Sequence, residues 1–371
     1  MREVLIVAGE ASGDLHAAGF AGALRTLRSD LALVGVGGAA MERAGVKLLE
    51  RTDTLAVMGF VEVLRQIPHH YRLLKSLGDR LRSGSVALVV LIDYPGFNMR
   101  LARVARAAGV PVLYYITPQV WAWGADRLPR LAQLITKAAV ILPFEGPLLR
   151  GAGVDATFVG HPLLDHAAES PGRDAAREAL GFKPEDQVLA MFPGSRRQEI
   201  ERHLSAFVET ARRLQQSVPG LRVVVSVAPG MTIDRSRCPY PQVPNQSQTV
   251  LRAADAALCK SGTVTLEAAV AGCPLIIAYR TSRLTYALAR RVVRIPHIGL
   301  VNVVAGKEIA PEFVQGEMRA DTMAAALQPL LERESPARSA MLDSLRAVRA
   351  QLGSPGAATR VAELANELVP A

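Results

Sequence analysis

The sequence predicts an α/β protein made of two Rossmann-like domains in succession, each an open, mainly parallel sheet with crossover helices. Three observations carry this. Short continuous apolar runs alternate with longer stretches of helical periodicity, the pattern of buried parallel strands and their connecting helices. The alternation is run through twice, with a polar stretch rich in Pro, Gly, Asp and Arg at Asp165–Asp174 between the two passes. A chain of 371 residues also exceeds one ordinary core and suits two domains of about 150 to 200 residues.

In the first half the expected strands are Glu3–Ala8, Ala32–Val36, Val86–Ile92, Val112–Ile116 and Ala139–Leu142. In the second they are Gln187–Met191, Leu221–Val227, Ala256–Leu258 and Leu275–Ala278. Helical patterns fill the gaps. The hinge falls near Pro162–Pro171, giving one domain over 1–165 and another over 166–340. Residues 341–371 make a helical tail, within a helical pattern from Ser335 to Leu368 that could lie back across the first domain. Two such halves face each other across a cleft, and open parallel sheets bind ligands beyond the carboxyl ends of their strands. The loops after each strand are therefore where chemistry is expected.

Bulk properties narrow the partners. Charged residues make up 21% of the chain and the net charge is +9, which favours an anionic partner unless the source proteome is basic throughout. Only 5% of residues are aromatic and none interleave with Lys and Arg, so nucleic acid is not expected. Cys238, Cys259 and Cys273 fit neither a disulfide framework nor a zinc site and read as buried hydrophobes in a reducing compartment. The apolar run at the N-terminus is too short for a signal peptide, and Val86–Ile92 is far short of a membrane span. A cytoplasmic, soluble or peripheral protein is expected.

The motifs follow the strands in order. Gly9-Glu10-Ala11-Ser12-Gly13-Asp14 is a small-residue turn feeding a helix expected to start near Leu15; it is either a tight turn or an anion-facing one. Gly35-Val36-Gly37-Gly38-Ala39-Ala40 satisfies a dinucleotide fingerprint formally, but follows the second strand and reads better as a turn of close backbone approach. Asp93 stands where the most apolar strand ends. Apolar walls would raise its pKa towards a general base's range, so it is a candidate to deprotonate an acceptor hydroxyl, the alternative being a turn or cap aspartate. Thr117–Trp123 holds both tryptophans, which either seal the core or offer a flat face to sugar or acyl groups.

In the second half, Phe192–Glu199 joins a strand to a helix. Gly194 opens the backbone, Ser195 can cap the helix and Arg196 or Arg197 can fork onto a phosphate, as against a plain helix cap. Lys260–Glu267 repeats the theme. Ser261, Gly262 and Thr263 would present amides and hydroxyls to a diphosphate without a metal ion, and Glu267, one turn on, could reach a ribose diol. Asn302, Glu308 and Gln315 lie among apolar residues and are candidates to read a base or sugar. Absent are the zinc-protease and serine-hydrolase motifs and the paired aspartates of a metal-dependent transferase, so neither a metal nor another cofactor is expected.

Together these blocks, with Val57–Leu64 and Phe158-Val159-Gly160-His161-Pro162, resemble the lipid-A-disaccharide synthase family of GT-B architecture over essentially the whole chain. The resemblance departs at Ala39, Ala40, Gly96 and Val301. It implies an inverting transfer from UDP-2,3-diacylglucosamine to 2,3-diacylglucosamine 1-phosphate, giving a β-1,6-linked disaccharide and UDP. Asp93 matches the proposed base. Arg196 and Ser261–Thr263 match the diphosphate binders, and Glu267, Asn302 and Gln315 match nucleotide and sugar positions. Lipid substrates also give Met58, Phe60, Val61 and Leu64, beside Arg65, His69, His70, Arg72 and Lys75, a reading as an apolar patch with a basic rim, at the phospholipid of the inner membrane's cytoplasmic face; the alternative is a core-facing helix. A homodimer is compatible with the resemblance. The rival readings are another GT-B transferase or epimerase acting on UDP-N-acetylglucosamine, and a non-catalytic binder of nucleotide sugar or phospholipid.

Overall fold

The computed structural model describes residues 2–52, 60–119, 121, 128–292 and 295–369, with backbone only at 60–66, 284, 288–290 and 292. The chain divides into two compact units, Met1–Pro162 with Gly353–Ala371, and Leu163–Leu352.

The first unit holds seven parallel strands: β1 (Glu3–Ala8), β2 (Ala32–Gly37), β3 (Lys47–Arg51), β4 (Val86–Ile92), β5 (Val112–Tyr115), β6 (Lys137–Val140) and β7 (Ala156–Phe158). Their order is β3-β2-β1-β4-β5-β6-β7. The central strands EVLIVA and VALVVLI are apolar at nearly every position because helices cover both faces of the sheet. The two core clusters divide by strand parity: Leu5, Val7, Val89 and Leu91 face one layer, Val4, Ile6, Leu88 and Val90 the other. The second layer is closed by helix Ala357–Leu368, whose Val361, Ala362 and Ala365 pack against it.

The second unit holds six parallel strands: β8 (Val188–Phe192), β9 (Arg222–Val227), β10 (Gln242–Pro244), β11 (Ala256–Lys260), β12 (Leu275–Tyr279) and β13 (Glu312–Val314). Their order is β10-β9-β8-β11-β12-β13. At the start of β11 the buried Asp255 accepts hydrogen bonds from Arg173 (2.6 Å), Arg177 (2.8 Å) and the Val188 N–H (2.8 Å), tying β11 to β8.

In each sheet the order of the strands reverses at one point, between β1 and β4 in the first unit and between β8 and β11 in the second. At such a switch point the following loops part and leave room for a ligand. The α/β class and two parallel sheets agree with the sequence expectation, with differences in detail. The strand after Ile135 begins at Lys137, not Ala139, because Lys137 already pairs with Leu113. The first helix spans Ala11–Leu27, so Ser12, Gly13 and Asp14 lie in its first turn and not ahead of it. Strands β3, β7, β10 and β13 were not expected: they are short, half-exposed and lie at or beside sheet edges. Among the described residues no helix is long and apolar enough to cross a membrane.

Candidate active site

The motif residues of the first unit gather at the carboxyl ends of β1, β4 and β5. Asp93 follows β4 with φ of 46°, Tyr94 has 50°, and Ile116, after β5, has 60°. Three non-glycine residues in the left-handed region at one sheet edge mark stored strain, held only because the surroundings over-determine it. The Asp93 carbonyl accepts from Asn98 Nδ2 (2.7 Å) and the Tyr114 hydroxyl (2.8 Å), and its N–H donates to the Tyr115 carbonyl (3.2 Å). Tyr94 lies flat against Gly9, where a Cβ would meet its ring. Its hydroxyl is 2.6 Å from His70 Nε2, and its ring stacks on Phe97. Backbone and ring contacts thus fix Asp93 while its carboxyl makes none of them. Burial raises the Asp93 pKa and the nearby Glu10 carboxylate adds to this, against the opposing effect of the Tyr94 N–H.

Asp14 has a structural task. Its carboxylate is buried and accepts from the N–H groups of Gly38 (2.7 Å), Ala40 (2.9 Å) and Met41 (3.1 Å), bracing the second glycine turn. Gly13 is buried beside Ala8 and Ile92, while Ser12 is exposed. Trp121 donates to Glu145 (3.0 Å), whose buried carboxyl also accepts from the Leu142 N–H (3.1 Å), and the indole meets Phe144 edge-on. Met58 lies outside the described residues, and so do the side chains of Phe60, Val61 and Leu64. A groove of about 660 Å³ lined by Glu3, Arg25, Lys47 and Arg80 opens at the amino ends of β1–β3 and holds none of these candidates.

In the second unit the two glycine-bearing turns meet at the switch point, after β8 and β11. Gly194 has φ of 141°, and a Cβ there would strike Glu199, so only glycine fits. Ser195 does not cap the helix Arg197–Ser217; Arg196 holds the N-cap position, and the Glu199 carboxylate reaches back to accept the Ser195 N–H at 3.0 Å. The other Glu199 oxygen is 3.0 Å from Lys260 Nζ and 3.9 Å from the Arg196 guanidinium. Burial opposes ionisation of Glu199, yet Lys260 and the Ser195 N–H keep its pKa below the ordinary value.

Ser261 is held by its neighbours, its N–H donating to the Ala278 carbonyl and its hydroxyl to that of Ile298 (2.7 Å). The Gly262 and Thr263 N–H groups make no hydrogen bond among the described residues and stand at the start of helix Val264–Ala271. These are the donors a diphosphate would find. Glu267, one turn on, accepts from the Ser247 hydroxyl (2.7 Å), and burial raises its pKa.

The remaining candidates divide. Asn302 is fully buried, donating to the Ala310 carbonyl (2.7 Å) and Glu312 (2.8 Å) and accepting from the Ile309 and Ala310 N–H groups. It organises the loop ahead of β13, and no side-chain atom is left for a ligand. Gln315 follows β13 at the carboxyl edge with φ of 56°, and its buried Nε2 has no partner among the described residues. Glu308 stands apart, exposed beside Lys307, Met341 and Ser344 ahead of β13. Three further residues join this cluster, to which the sequence motifs assign no role: Lys260, His203 and Arg280. His203 Nδ1 lies 2.6 Å from the Glu199 carbonyl, its Nε2 accepts the Arg280 N–H (2.9 Å), and the Arg280 guanidinium reaches the Gln315 carbonyl. Contacts between this helix and the residues that follow separate strands leave no spacing signal. Among the described residues no group of three or more His, Cys, Asp or Glu is placed to hold a metal ion.

Comparison with known proteins bears on the fold and the family. Among solved structures, the chain superimposes on an S. aureus protein determined with UDP at a TM-score of 0.67, with 13% identity over 100% of this chain and 98% of that one. A glycotransferase of kitacinnamycin matches at 0.66 with 16% identity, over 99% of each chain. These likenesses establish the fold. In sequence, the lipid-A-disaccharide synthase of Trichlorobacter lovleyi is 41% identical over 375 residues, covering 99% of this chain and 98% of that one. That of Geobacter sulfurreducens is 40% identical, covering 99% and 97%. The family model described as lipid-A-disaccharide synthetase matches residues 4–365. The chain belongs to the lipid-A-disaccharide synthase family.

Proposed function

We propose that the chain is an inverting glycosyltransferase that forms the lipid A disaccharide, taking the sugar of UDP-2,3-diacylglucosamine to the 6-hydroxyl of 2,3-diacylglucosamine 1-phosphate. The observation that carries the reading is Asp93: a desolvated carboxyl at a sheet switch point, on strained backbone that its neighbours fix. In the step, the acceptor hydroxyl oxygen bonds to the anomeric carbon and its proton passes to Asp93. The bond from that carbon to the diphosphate breaks, and its electron pair leaves with UDP. Arg196 and the amides of Gly262 and Thr263 receive the negative charge, and Glu267 is assigned to the ribose. Of the other substrate candidates, Gln315 suits the sugar or base.

UDP release with both substrates tests this. Asp93→Asn is expected to lose about 10²- to 10⁴-fold in kcat/KM, and retained activity would remove Asp93 from the base role. EDTA is expected to leave the rate unchanged. An epimerase would alter the donor sugar with no acceptor present, and a mere binder would release no UDP.

The same reading places the chain at the cytoplasmic face of the inner membrane, where both lipids lie. The helix Phe60–Arg82 supports it: Ile67 and Tyr71 are 53% and 70% exposed one turn apart, beside exposed Arg72 and Lys75. Phe60→Ser with Leu64→Ser is expected to shift the protein from the membrane pellet to the soluble fraction with its melting unchanged; unaltered partitioning would count against the patch.

A further inference from the structure

We infer that Lys260 is a second cation for the donor's diphosphate, and that in the free protein the Glu199 carboxylate holds the diphosphate's place. The inference rests on the UDP-sugar reading above and deepens it.

Glu199 sits among three donors: the Ser195 N–H at 3.0 Å, Lys260 Nζ at 3.0 Å and the Arg196 guanidinium at 3.9 Å. A backbone amide in a glycine turn, an ammonium and a guanidinium are the groups that bind phosphate oxygens. The protein has filled this set with its own anion. Lys260 is the last residue of β11, and its ammonium lies 3.5 Å from where a Cβ on Gly262 would stand, directly over the turn that offers its unbonded amides. Its side chain keeps 17% of its surface open. Tyr279, with its ring centroid 5.8 Å from Nζ, steadies it from the adjacent strand.

Lys260 therefore needs only to turn between one anion and another. When the donor arrives, its diphosphate competes with Glu199 for the ammonium. As the sugar departs, the charge growing on the leaving oxygen strengthens that hydrogen bond, with no proton transferred. A bound cation is thus supplied by the chain beside Arg196.

Isothermal titration of UDP, UMP and uridine tests the assignment. Lys260→Met is expected to weaken UDP at least about tenfold while uridine binds as to the wild type, and Lys260→Arg to recover most of the loss. Glu199→Gln, which frees the ammonium and keeps an oxygen for the Ser195 N–H, is expected to tighten UDP. The Glu199→Gln, Lys260→Met pair separates a ligand contact from an internal ion pair: weak UDP binding in it supports the inference, and recovered binding overturns it. Wild-type UDP affinity in Lys260→Met, an equal loss of uridine, or unchanged or weaker UDP binding in Glu199→Gln also overturns it. If the wild type itself binds no UDP, the donor assignment falls as well.

Discussion

Glu10 presents its carboxylate to Asp93 and Tyr94 at once, and raises the pKa of each beyond what burial does. Asp93 is a base only when ionised, so the acid limb of kcat/KM is expected above the ordinary aspartate range. In Glu10→Gln the limb moves to lower pH, with the folded structure intact; a limb that does not move removes Glu10 from the tuning. His161 works in the opposite sense. Burial, with His16 adding to it, lowers its pKa to about 3. An unfolded imidazole titrates near 6.5, so the unfolded chain takes up the proton first as pH falls. The stability due to neutral His161 is complete above about 6.5 and is lost as pH falls towards 3, at up to about 1.4 kcal/mol per pH unit. Unfolding free energy measured in urea between pH 6.5 and 4 should fall less steeply in His161→Gln than in the wild type, and equal slopes would contradict this. Of these groups the sequence showed Asp93, Arg196 and Gly194, which sit in local motifs. It could not show that Asp14 braces Gly38, that Asn302 is consumed by Ile309, Ala310 and Glu312, or that Glu199 meets Lys260, because each is a meeting of separate segments.

The nine strands that the sequence revealed are mostly apolar and buried, as in β1, β4, β8 and the apolar stretch of β11. The strands it hid are half-exposed and mixed in character, such as KLLER in β3 and QVP in β10, where proline is tolerated on an edge. Along β11 the buried ion pairs and the candidate site lie at opposite ends. Asp255, fully buried with Arg177 nearly so, stands just before β11, and Lys260 ends the strand. Removing one partner of a buried ion pair leaves the other charge uncompensated, which costs about 3–5 kcal/mol. Asp255→Ala is expected to lower stability to denaturant by that amount, with UDP affinity retained in whatever fraction stays folded. A loss below about 1 kcal/mol would mean that Arg173 and Arg177 find other acceptors.

Over the whole molecule, the first unit is sealed by residues far along the chain. Arg360 Nε donates to the Val159 carbonyl (2.8 Å), Arg28 reaches Asn366 (3.2 Å), and Lys137 pairs with Glu367 (3.1 Å). Deleting 353–371 would uncover Val4, Ile6 and Leu88 on one face of the sheet. Calorimetry of that deletion is expected to lose the unfolding transition of the first unit and keep that of Leu163–Leu352; two intact transitions would show the closing helix to be dispensable. The sealing helix also sets an order of events during synthesis. Domains generally fold as they emerge, the first-made before the next. Here Leu163–Leu352 is synthesised before Ala357–Leu368, so the unit begun first is completed last. Until then the nascent first sheet keeps one apolar face open, and that interval is when a chaperone or a neighbouring chain would find it.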